Sequence, residues 1–304
     1  LRAFRELINA EEDEDWALIV GWLLGAYSPS GPYLGLIING SQGSAKTTLS
    51  KFLQDLIDPN TASLRRIPKH EEDIVLYAKN SRLLAYDNLS GLSEQLADTF
   101  CTLSTGGGFS TRQLYTNFEE AMFSFCRPWI MNGIDAVSNR LDLLDRAIVV
   151  NLQHIPPEKM RDNSELQKLF RQQYPFLLGA IFDSVSECLR NYQDTKINNA
   201  PRMADFCRWV VAGERSLGIE PGSFLAAYRD NREDVLNDAV DNDSYVPFLF
   251  DLLRRRNPWE GTTAALLSEQ ENYKKRNQSY RACPIWGQLS HGLKLHFRNL
   301  VTPI

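Results

Sequence analysis

The sequence has no hydrophobic run that approaches the roughly 20 residues needed to cross a bilayer. Its longest apolar stretch, Trp16 to Tyr27, is too short for a membrane span. That stretch also follows an acidic run, Glu11 to Asp15, where a secretory signal would have a basic start. We therefore expect no membrane partner and a cytoplasmic protein.

Cysteine and histidine are also scarce. The five cysteines, at positions 101, 126, 188, 207 and 283, never form a CxxC pair, and the four histidines are equally dispersed. This spacing argues against a disulfide framework and against a protein-ligated zinc site, and it is typical of a reducing cytosol.

The composition that remains is that of a folded protein. The chain is 43% hydrophobic and 23% charged, and its 304 residues suffice for one large domain and a smaller one. The net charge of −5 excludes a surface that is basic throughout, although Arg254–Arg256 and Lys274–Arg276 are local basic clusters. Because the chain begins at Leu1 without a methionine, we expect a piece of a longer protein.

The most informative stretch is LGLIINGSQGSAKTTLS, Leu34 to Ser50. It predicts a strand, then a loop of small residues, then a helix that begins near Lys46. This is the layout of a phosphate-binding loop, whose bare backbone and helix N-terminus favour negative charge. We expect Lys46 to reach the β- and γ-phosphates of ATP, and the Thr47 hydroxyl to hold Mg²⁺. The residues expected around the nucleotide are Gly40, Ser41, Gln42, Gly43, Ser44, Ala45, Lys46, Thr47 and Thr48.

Ala45 departs from the usual pattern G-x-x-x-x-G-K-[ST], which has a second glycine at this position. Alanine tolerates the helical φ expected at the start of a helix, so we expect the loop to keep its shape. The alternative for the whole stretch is an ordinary strand-to-helix turn with a surface lysine.

After a strand expected around residues 62–67, a further apolar strand, Arg82 to Asn88, carries an acid, Asp87, near its end. Ligands lie beyond the carboxyl ends of parallel strands, so Asp87 is expected beside the phosphate loop as a second Mg²⁺ ligand. The alternative is an Asp that caps the following helix. Asn88 occupies the position at which many ATPases with a phosphate-binding loop carry a catalytic glutamate. An asparagine can orient water but cannot take its proton, so hydrolysis could be slow.

Further along the chain, FSTRQLYTNFEEAMFSF predicts a hairpin around Thr116–Asn117 that carries Arg112. The strand RPWIMN then ends at Asn132, which we expect near Asp87 and the γ-phosphate. An asparagine in an ordinary Asn-Gly turn is the alternative. Arg140 and Arg146 precede the last apolar strand, residues 147–152, and are candidates for a finger that reaches a neighbouring subunit's γ-phosphate. Surface ion pairs are the alternative for both.

The order of these features resembles that of superfamily 3 helicases, most closely the phage and mobile-element primase-helicases within the AAA+ ATPases. The segments that carry the resemblance lie between residues 34 and 152 and are GSQGSAKTT, LLAYDN, GGGFSTRQLY, WIMNGID and LDLLDR.

This resemblance implies a ring, usually a hexamer, with ATP between subunits and the hairpin lining a channel for single-stranded or forked DNA. By the same resemblance, the nucleotide and metal ligands are Lys46, Thr47, Asp87 and Asn132. Arg146 is the first finger candidate and Arg140 the second, and Arg112 lies on the DNA-facing hairpin.

Beyond residue 155 the pattern becomes helical, with helices expected over 164–173, 175–192, 203–217 and 224–236. From about residue 238 the pattern resembles a partial winged-helix or helix-turn-helix module. A helix over 285–298 would take the recognition position, with Lys294 and Arg298 (and His291) facing DNA phosphates. A helical packing module with solvated basic residues is the alternative.

We therefore predict an α/β fold in three parts. Residues 1–155 form an AAA+-type P-loop ATPase core with a parallel sheet flanked by helices, 156–237 a helical region, and 238–304 the winged-helix-like module. The leading hypothesis is an ATP-dependent DNA helicase or translocase of a phage, plasmid or mobile-element replication system. A slowly hydrolysing ATP-dependent switch or loader is the second, and a small-molecule kinase is a weaker third.

Overall fold

The apolar runs of the sequence become strands of a mixed α/β fold. The structure is a computed structural model that describes residues 1–61, 64–112, 120–134, 140–241, 246–256 and 259–276. The strands within these ranges are β1 (Gly35–Gly40), β2 (Leu84–Leu89), β3 (Gly107–Arg112), β4 (Glu120–Phe125), β5 (Trp129–Gly133) and β6 (Ala147–Leu152).

Four of the described strands form a parallel sheet in the order β2-β5-β1-β6. In its register, Ile37 of β1 lies between Met131 of β5 and Val149 of β6. All of β5 and the first four residues of β1 are buried, as expected for parallel strands covered on both faces. Because the four strands share one direction, the residues that follow them meet at one carboxyl edge. The predicted parallel sheet flanked by helices is confirmed.

Helices cover this sheet and continue beyond it. Within the described ranges they are α1 (Arg2–Arg5), α2 (Asp13–Ala26), α3 (Lys46–Ile57), α4 (Glu71–Asn80), α5 (Glu94–Thr105), α6 (Leu141–Leu144), α7 (Asn163–Asn191), α8 (Ala204–Gly213), α9 (Ser223–Asp241), α10 (Val246–Arg255) and α11 (Thr263–Arg276). Short 3-10 turns lie at Pro157–Lys159 and Glu214–Leu217.

The apolar helix α2 lies at the centre of the core. Its residues are buried from Trp16 to Ala26, so it is apolar on every side rather than amphipathic. Two indole N–H groups fix its surroundings: Trp22 donates to the Leu34 carbonyl at 2.8 Å, and Trp209 of α8 donates to the Leu24 carbonyl at 3.0 Å. This core thus joins the sheet to the helices that follow it.

The helix α7 corrects one expectation. The sequence predicts two helices separated at Pro175, but a single helix runs from Asn163 to Asn191 through the proline. Proline lacks the N–H that would bond the Arg171 carbonyl. Both residues are exposed, so water can satisfy that carbonyl, while Phe170 and Leu177 are buried on either side and hold the helix together.

The region before β2 is only partly strand-like. The sequence predicts a strand over 62–67, of which residues 62 and 63 lie outside the described part of the chain. Arg65 makes one parallel bridge to Tyr86; its N–H donates to the Ala85 carbonyl at 3.0 Å, and its carbonyl accepts from Asp87 N–H at 2.8 Å. This segment therefore flanks β2 next to Asp87.

The predicted hairpin is formed by β3 and β4, which pair antiparallel from Gly107 opposite Phe125 to Arg112 opposite Glu120. Its expected turn at residues 116–117 lies outside the described residues. Next to its base, the Ser104 carbonyl accepts from the N–H of Tyr33, two residues before β1. The hairpin therefore leaves from the amino edge of the sheet.

The strand β6 lies at one edge of the described sheet and is covered by a side chain of α9. Asn231 donates to the Val149 carbonyl at 2.6 Å and accepts from the Val149 N–H at 3.1 Å. One amide thus replaces the missing strand neighbour at this residue, which blocks pairing with another chain.

By its internal contacts the chain divides into two units, Leu1–Val235 and Leu236–Ile304. In the second unit, α10 and α11 pack through Phe248, Leu252 and Leu266. The basic cluster at the end of α10 is partly neutralised within this unit, since Arg255 and Arg256 both pair with Glu269. Residues 285–298 lie outside the described residues, so the winged-helix-like module and the three-part division stay predictions.

No helix that the structure describes is both long and apolar enough to span a membrane.

Candidate functional site

The loop between β1 and α3 lies at the carboxyl edge of the sheet and has an unusual backbone. Gly40, Gly43 and Ala45 have φ angles of +155°, +83° and +65°. Besides its positive φ, Gly40 lacks space for a side chain, because a Cβ there would lie 2.6 Å from the Leu152 carbonyl oxygen. When left-handed residues alternate with right-handed ones, the successive backbone N–H groups point to the same side of the loop. They then form a concavity that can bind an anion.

Ala45 is therefore not in the helical conformation that the sequence predicts. Its φ of +65° and ψ of +25° are left-handed, and α3 begins only at Lys46. In this conformation a Cβ crowds the backbone at a cost of roughly 1–2 kcal/mol. The missing glycine is thus a strained position.

Replacing Ala45 with glycine is expected to raise the free energy of unfolding by about 0.5–1 kcal/mol. Glycine removes the left-handed strain and gives back about 0.4–1 kcal/mol through the greater freedom of the unfolded chain. Urea unfolding of the nucleotide-free protein measures the change. Gly43→Ala, at φ +83°, is the opposite control and should destabilise; equal stability of both variants would contradict the left-handed conformation.

Lys46 folds back over the loop. Its Nζ donates to the carbonyls of Gly40 and Ser41 at 2.6 and 2.7 Å and lies 3.4 Å from Ser44 Oγ. Partial burial lowers the pKa of its amine, and the Asp87 carboxylate opposes part of that shift. The positive charge is thus held at the mouth of the N–H concavity.

Asp87, at the end of β2, meets the start of α3. The Thr47 hydroxyl donates to Asp87 Oδ1 at 3.0 Å, although the two residues are 40 positions apart. A hydroxyl and a carboxylate are the hard oxygen donors that Mg²⁺ takes in phosphate sites. The structure thus brings together the two residues predicted to hold Mg²⁺, and that role stays a prediction. No group of three or more His, Cys, Asp or Glu in the described residues could hold a metal by itself.

Asn132 and Asn88 are joined by hydrogen bonds. Asn132 is 1% exposed; its Oδ1 accepts from the Asn88 backbone N–H at 3.0 Å, and its Nδ2 donates to Ser50 Oγ of α3 at 2.9 Å. Asn88 itself is exposed and left-handed, with φ +58°, at an irregularity in the β2–β5 pairing. Asparagine adopts this conformation more readily than glutamate does. Asn132 thus ties the strand end that carries Asp87 to the helix that carries Lys46.

Two further residues touch the loop and have no signal in the sequence. Asn9 Nδ2 donates to the carbonyls of Ser44 and Gln153 at 3.2 and 2.7 Å, and His154 Nδ1 lies 3.1 Å from the Gln42 carbonyl. Neither belongs to a motif, and they approach the loop from 35 and 112 positions away. Only the folded chain brings them together.

The two arginine candidates lie away from the loop. Gly35 N–H at the start of β1 donates to the Arg146 carbonyl, so Arg146 is at the amino edge. Its partly buried guanidinium donates to the Asp142 carbonyl and lies 3.9 Å from Cys101 Sγ. Arg140 pairs with Asp98 and Asp142 at 2.8 and 2.9 Å, and its side chain is 36% exposed. Neither arginine joins the Lys46 cluster of the same chain.

Of the predicted DNA-contacting residues, only Arg112 lies within the described part of the chain. The backbone of Arg112 pairs with Glu120 in the hairpin. Lys294 and Arg298 lie outside the described residues. Their roles stay predictions.

A family model described as the replication protein of actinomycete integrative conjugative elements matches residues 2–239 of the chain. None of the curated proteins matches it.

Three solved structures are distantly similar to this chain. One, described as the active helicase Cch of SCCmec type IV, is 12% identical with a TM-score of 0.46, covering 81% of this chain and 52% of that one. The NrS-1 C-terminal region is 12% identical with a TM-score of 0.49, covering 90% and 62%. The JCV helicase is 11% identical with a TM-score of 0.32, covering 74% and 60%. The chain thus spans about half to three-fifths of these proteins, and likenesses this distant do not carry a function.

Proposed function

This chain belongs to the replication proteins of actinomycete integrative conjugative elements, and we propose that it is an ATP-hydrolysing motor that acts on DNA as a helicase or translocase. The family establishes replication of a mobile element, as the sequence predicted. That the chain is a motor, that it binds ATP and that it assembles into a ring are proposals based on the residues of the site.

The observation that carries the proposal is the meeting of Lys46, Thr47 and Asp87 at the carboxyl edge of the parallel sheet. Thr47 Oγ1 and Asp87 Oδ1 are 3.0 Å apart, and Lys46 Nζ lies over the loop that precedes them. A cation, a hydroxyl and a carboxylate beside a left-handed glycine loop match the needs of a nucleoside triphosphate with its Mg²⁺. An ordinary strand-to-helix turn would not require this convergence.

Each residue then has a defined task. Lys46 leaves the loop carbonyls to neutralise the β- and γ-phosphates, while the loop N–H groups hold the phosphate oxygens. Thr47 and Asp87 would hold Mg²⁺, which when bound neutralises charge on the transferred phosphoryl group. Asn88 orients the attacking water without taking its proton, and Asn132 acts through Asn88, whose backbone N–H it holds.

The arginines support a site shared between copies. β6 runs from Ala147 at the amino edge to Leu152 beside Gly40, so the two edges are about 17 Å apart at 3.3 Å per residue. This exceeds the reach of an arginine side chain, so an arginine at the amino edge would meet the phosphate of another copy. The sequence ranks Arg146 first, but the geometry favours Arg140, whose side chain is 36% exposed and pairs with Asp98 and Asp142, whereas the Nε of Arg146 is buried.

The proposed DNA contacts are the hairpin and the C-terminal module. A hairpin that leaves the amino edge projects away from the nucleotide loop, as a channel-lining element of a ring would. Arg112 on the hairpin and Lys294 and Arg298 in the module are the proposed phosphate contacts. We propose a hexamer for the ring, in line with the resemblance to superfamily 3 helicases.

A second candidate function is a slowly hydrolysing switch or loader. Asn88 favours it, because an asparagine at the expected position of a base leaves water activation to other groups. Rapid multiple turnover would exclude the switch. ATP-dependent assembly with few turnovers per hour would favour it over the motor.

Particle mass with and without ATP and single-stranded DNA tests the proposal. We expect light scattering to detect a ring-sized particle when both ligands are present, and smaller species when ATP is omitted. A mass that stays that of one chain under every condition would contradict the shared site. An assembly that ignores DNA would contradict the motor.

A further inference from the structure

Three successive carbonyl groups of the phosphate loop are held by partners outside the loop. The Gln42 carbonyl faces His154 Nδ1 at 3.1 Å, the Gly43 carbonyl accepts from the Ile155 N–H at 3.4 Å, and the Ser44 carbonyl accepts from Asn9 Nδ2 at 3.2 Å. A carbonyl can only accept, so His154 carries its proton on Nδ1 in this contact. These partners come from the N-terminal segment and from the segment after β6.

The orientation of these carbonyls fixes the orientation of the next N–H groups. A trans peptide is planar, and its C=O and N–H point in opposite directions. Drawing the carbonyls of residues 42, 43 and 44 outwards therefore turns the N–H groups of Gly43, Ser44 and Ala45 inwards. Among the described residues these three N–H groups donate to no other group, so none of them has a competing acceptor there.

The outer partners are themselves braced. Asn9 also donates to the Gln153 carbonyl at 2.7 Å, and two acceptors on one nitrogen fix which end of the amide faces the loop. Lys159 pairs with Glu11 at 2.8 Å, and Arg161 donates to the Glu6 carbonyl at 3.2 Å. The N-terminal segment and the segment after β6 are thus fastened to each other on both sides of Asn9.

We propose that Asn9 and His154 are positioning residues for the phosphate loop, holding its carbonyls outwards so that three N–H groups face the nucleotide phosphates. This inference rests on the proposed nucleotide binding by the loop. Neither residue touches the phosphates. They act by preorganising the concavity, so their loss weakens binding of a phosphate-bearing ligand.

Asn9→Asp keeps the shape of the side chain but places a carboxylate against two carbonyl oxygens. We expect the Kd for Mg–ADP, measured by calorimetry at pH 8, to rise about tenfold, since the hydrogen bonds to the Ser44 carbonyl of the loop and to the Gln153 carbonyl are both replaced by repulsion. Lowering the pH should restore part of the affinity as the new carboxyl gains a proton and one donor. The wild-type chain measured alongside gives the pH dependence of the loop itself.

Asn191→Asp is the matched control. Asn191 Nδ2 also donates to a backbone carbonyl, that of Ala212 at 3.1 Å, but in the helical layer away from the loop. It should leave the Kd for Mg–ADP within about twofold of wild type, whatever its stability.

His154 provides a second, exposed pair of variants in case Asn9→Asp folds poorly. His154→Asn can place its Nδ2 near the former Nδ1 and should bind Mg–ADP like wild type. His154→Leu lacks a donor and should bind about threefold to tenfold more weakly.

Unchanged affinity in both Asn9→Asp and His154→Leu would overturn the inference and leave the nucleotide site standing. A wild-type chain that binds no Mg–ADP would instead contradict the proposed function. If Asn191→Asp weakens Mg–ADP binding as much as Asn9→Asp does, the effect of Asn9→Asp reflects a general loss of stability, and the positioning role of Asn9 is wrong.

Discussion

Lys46→Ala is expected to lower the kcat for ATP hydrolysis by about 10²–10³-fold. The substitution removes the only cation that the described part of the chain holds over the loop, and preorganised charge at a transferring phosphoryl group has an effect of this size. Phosphate release at saturating ATP and single-stranded DNA measures the loss.

Lys51→Ala is the control for Lys46→Ala. Lys51 lies on the same helix, α3, but its side chain makes no described contact with the loop. Its removal should change hydrolysis by less than about twofold, because partly exposed lysines contribute little. Hydrolysis by Lys46→Ala within a few-fold of wild type would mean that the chain does its chemistry elsewhere.

Arg140→Ala is expected to lower hydrolysis by about 10³-fold or more in the assembled state, the size of effect that arginine fingers have in related phosphoryl transfers. The affinity of one chain for Mg–ADP should not change, because Arg140 pairs with Asp98 and Asp142 and makes no described contact with its own loop. Arg202→Ala is the matched control. Arg202 also forms an Arg–Asp pair at 2.8 Å, with Asp145 just before β6, and should keep near wild-type hydrolysis.

Mixing the two inactive variants gives a sharper outcome. A chain with Arg140→Ala keeps its own Lys46 and can receive Arg140 from a neighbour with Lys46→Ala, so mixed assemblies should recover part of the activity. No recovery, with mixed assemblies present, would place both residues in the site of one chain. If Arg146→Ala, and not Arg140→Ala, lowers hydrolysis and is rescued by mixing with Lys46→Ala, the ranking of the two arginines is wrong.

The sequence predicted most of the strands and the position of the loop because both are local signals, although the strand expected over 62–67 is a single bridge. Apolar runs already define β1, β5 and β6, and the small-residue loop that follows β1 marks its end. The convergence of Thr47 and Asp87 also followed from the sequence, since parallel strands put their carboxyl ends at one edge.

The conformations of Ala45 and Asn88 could not be predicted in the same way. Both are left-handed residues that are not glycine, and only the surrounding contacts hold them there. For Asn88 the contact is Asn132, which belongs to a strand 44 positions away. The sequence shows an asparagine in place of a glutamate, but not that asparagine suits the backbone there.

Long-range partners were missed for a related reason. Asn9 and His154 have no spacing that relates them to the loop, so no pattern links them to it. Pro175 shows the opposite error, because a strong local signal for a helix break was overridden by burial on both sides of it.

The rate of ATP hydrolysis by the wild-type chain, with and without single-stranded DNA, tests the central claim most directly. A motor couples hydrolysis to DNA, so we expect single-stranded DNA to raise the rate at least several-fold, and Lys46→Ala to lower both rates by about 10²–10³-fold. Hydrolysis that is indifferent to DNA, or equal in wild type and Lys46→Ala, would contradict an ATP-driven motor built on this loop.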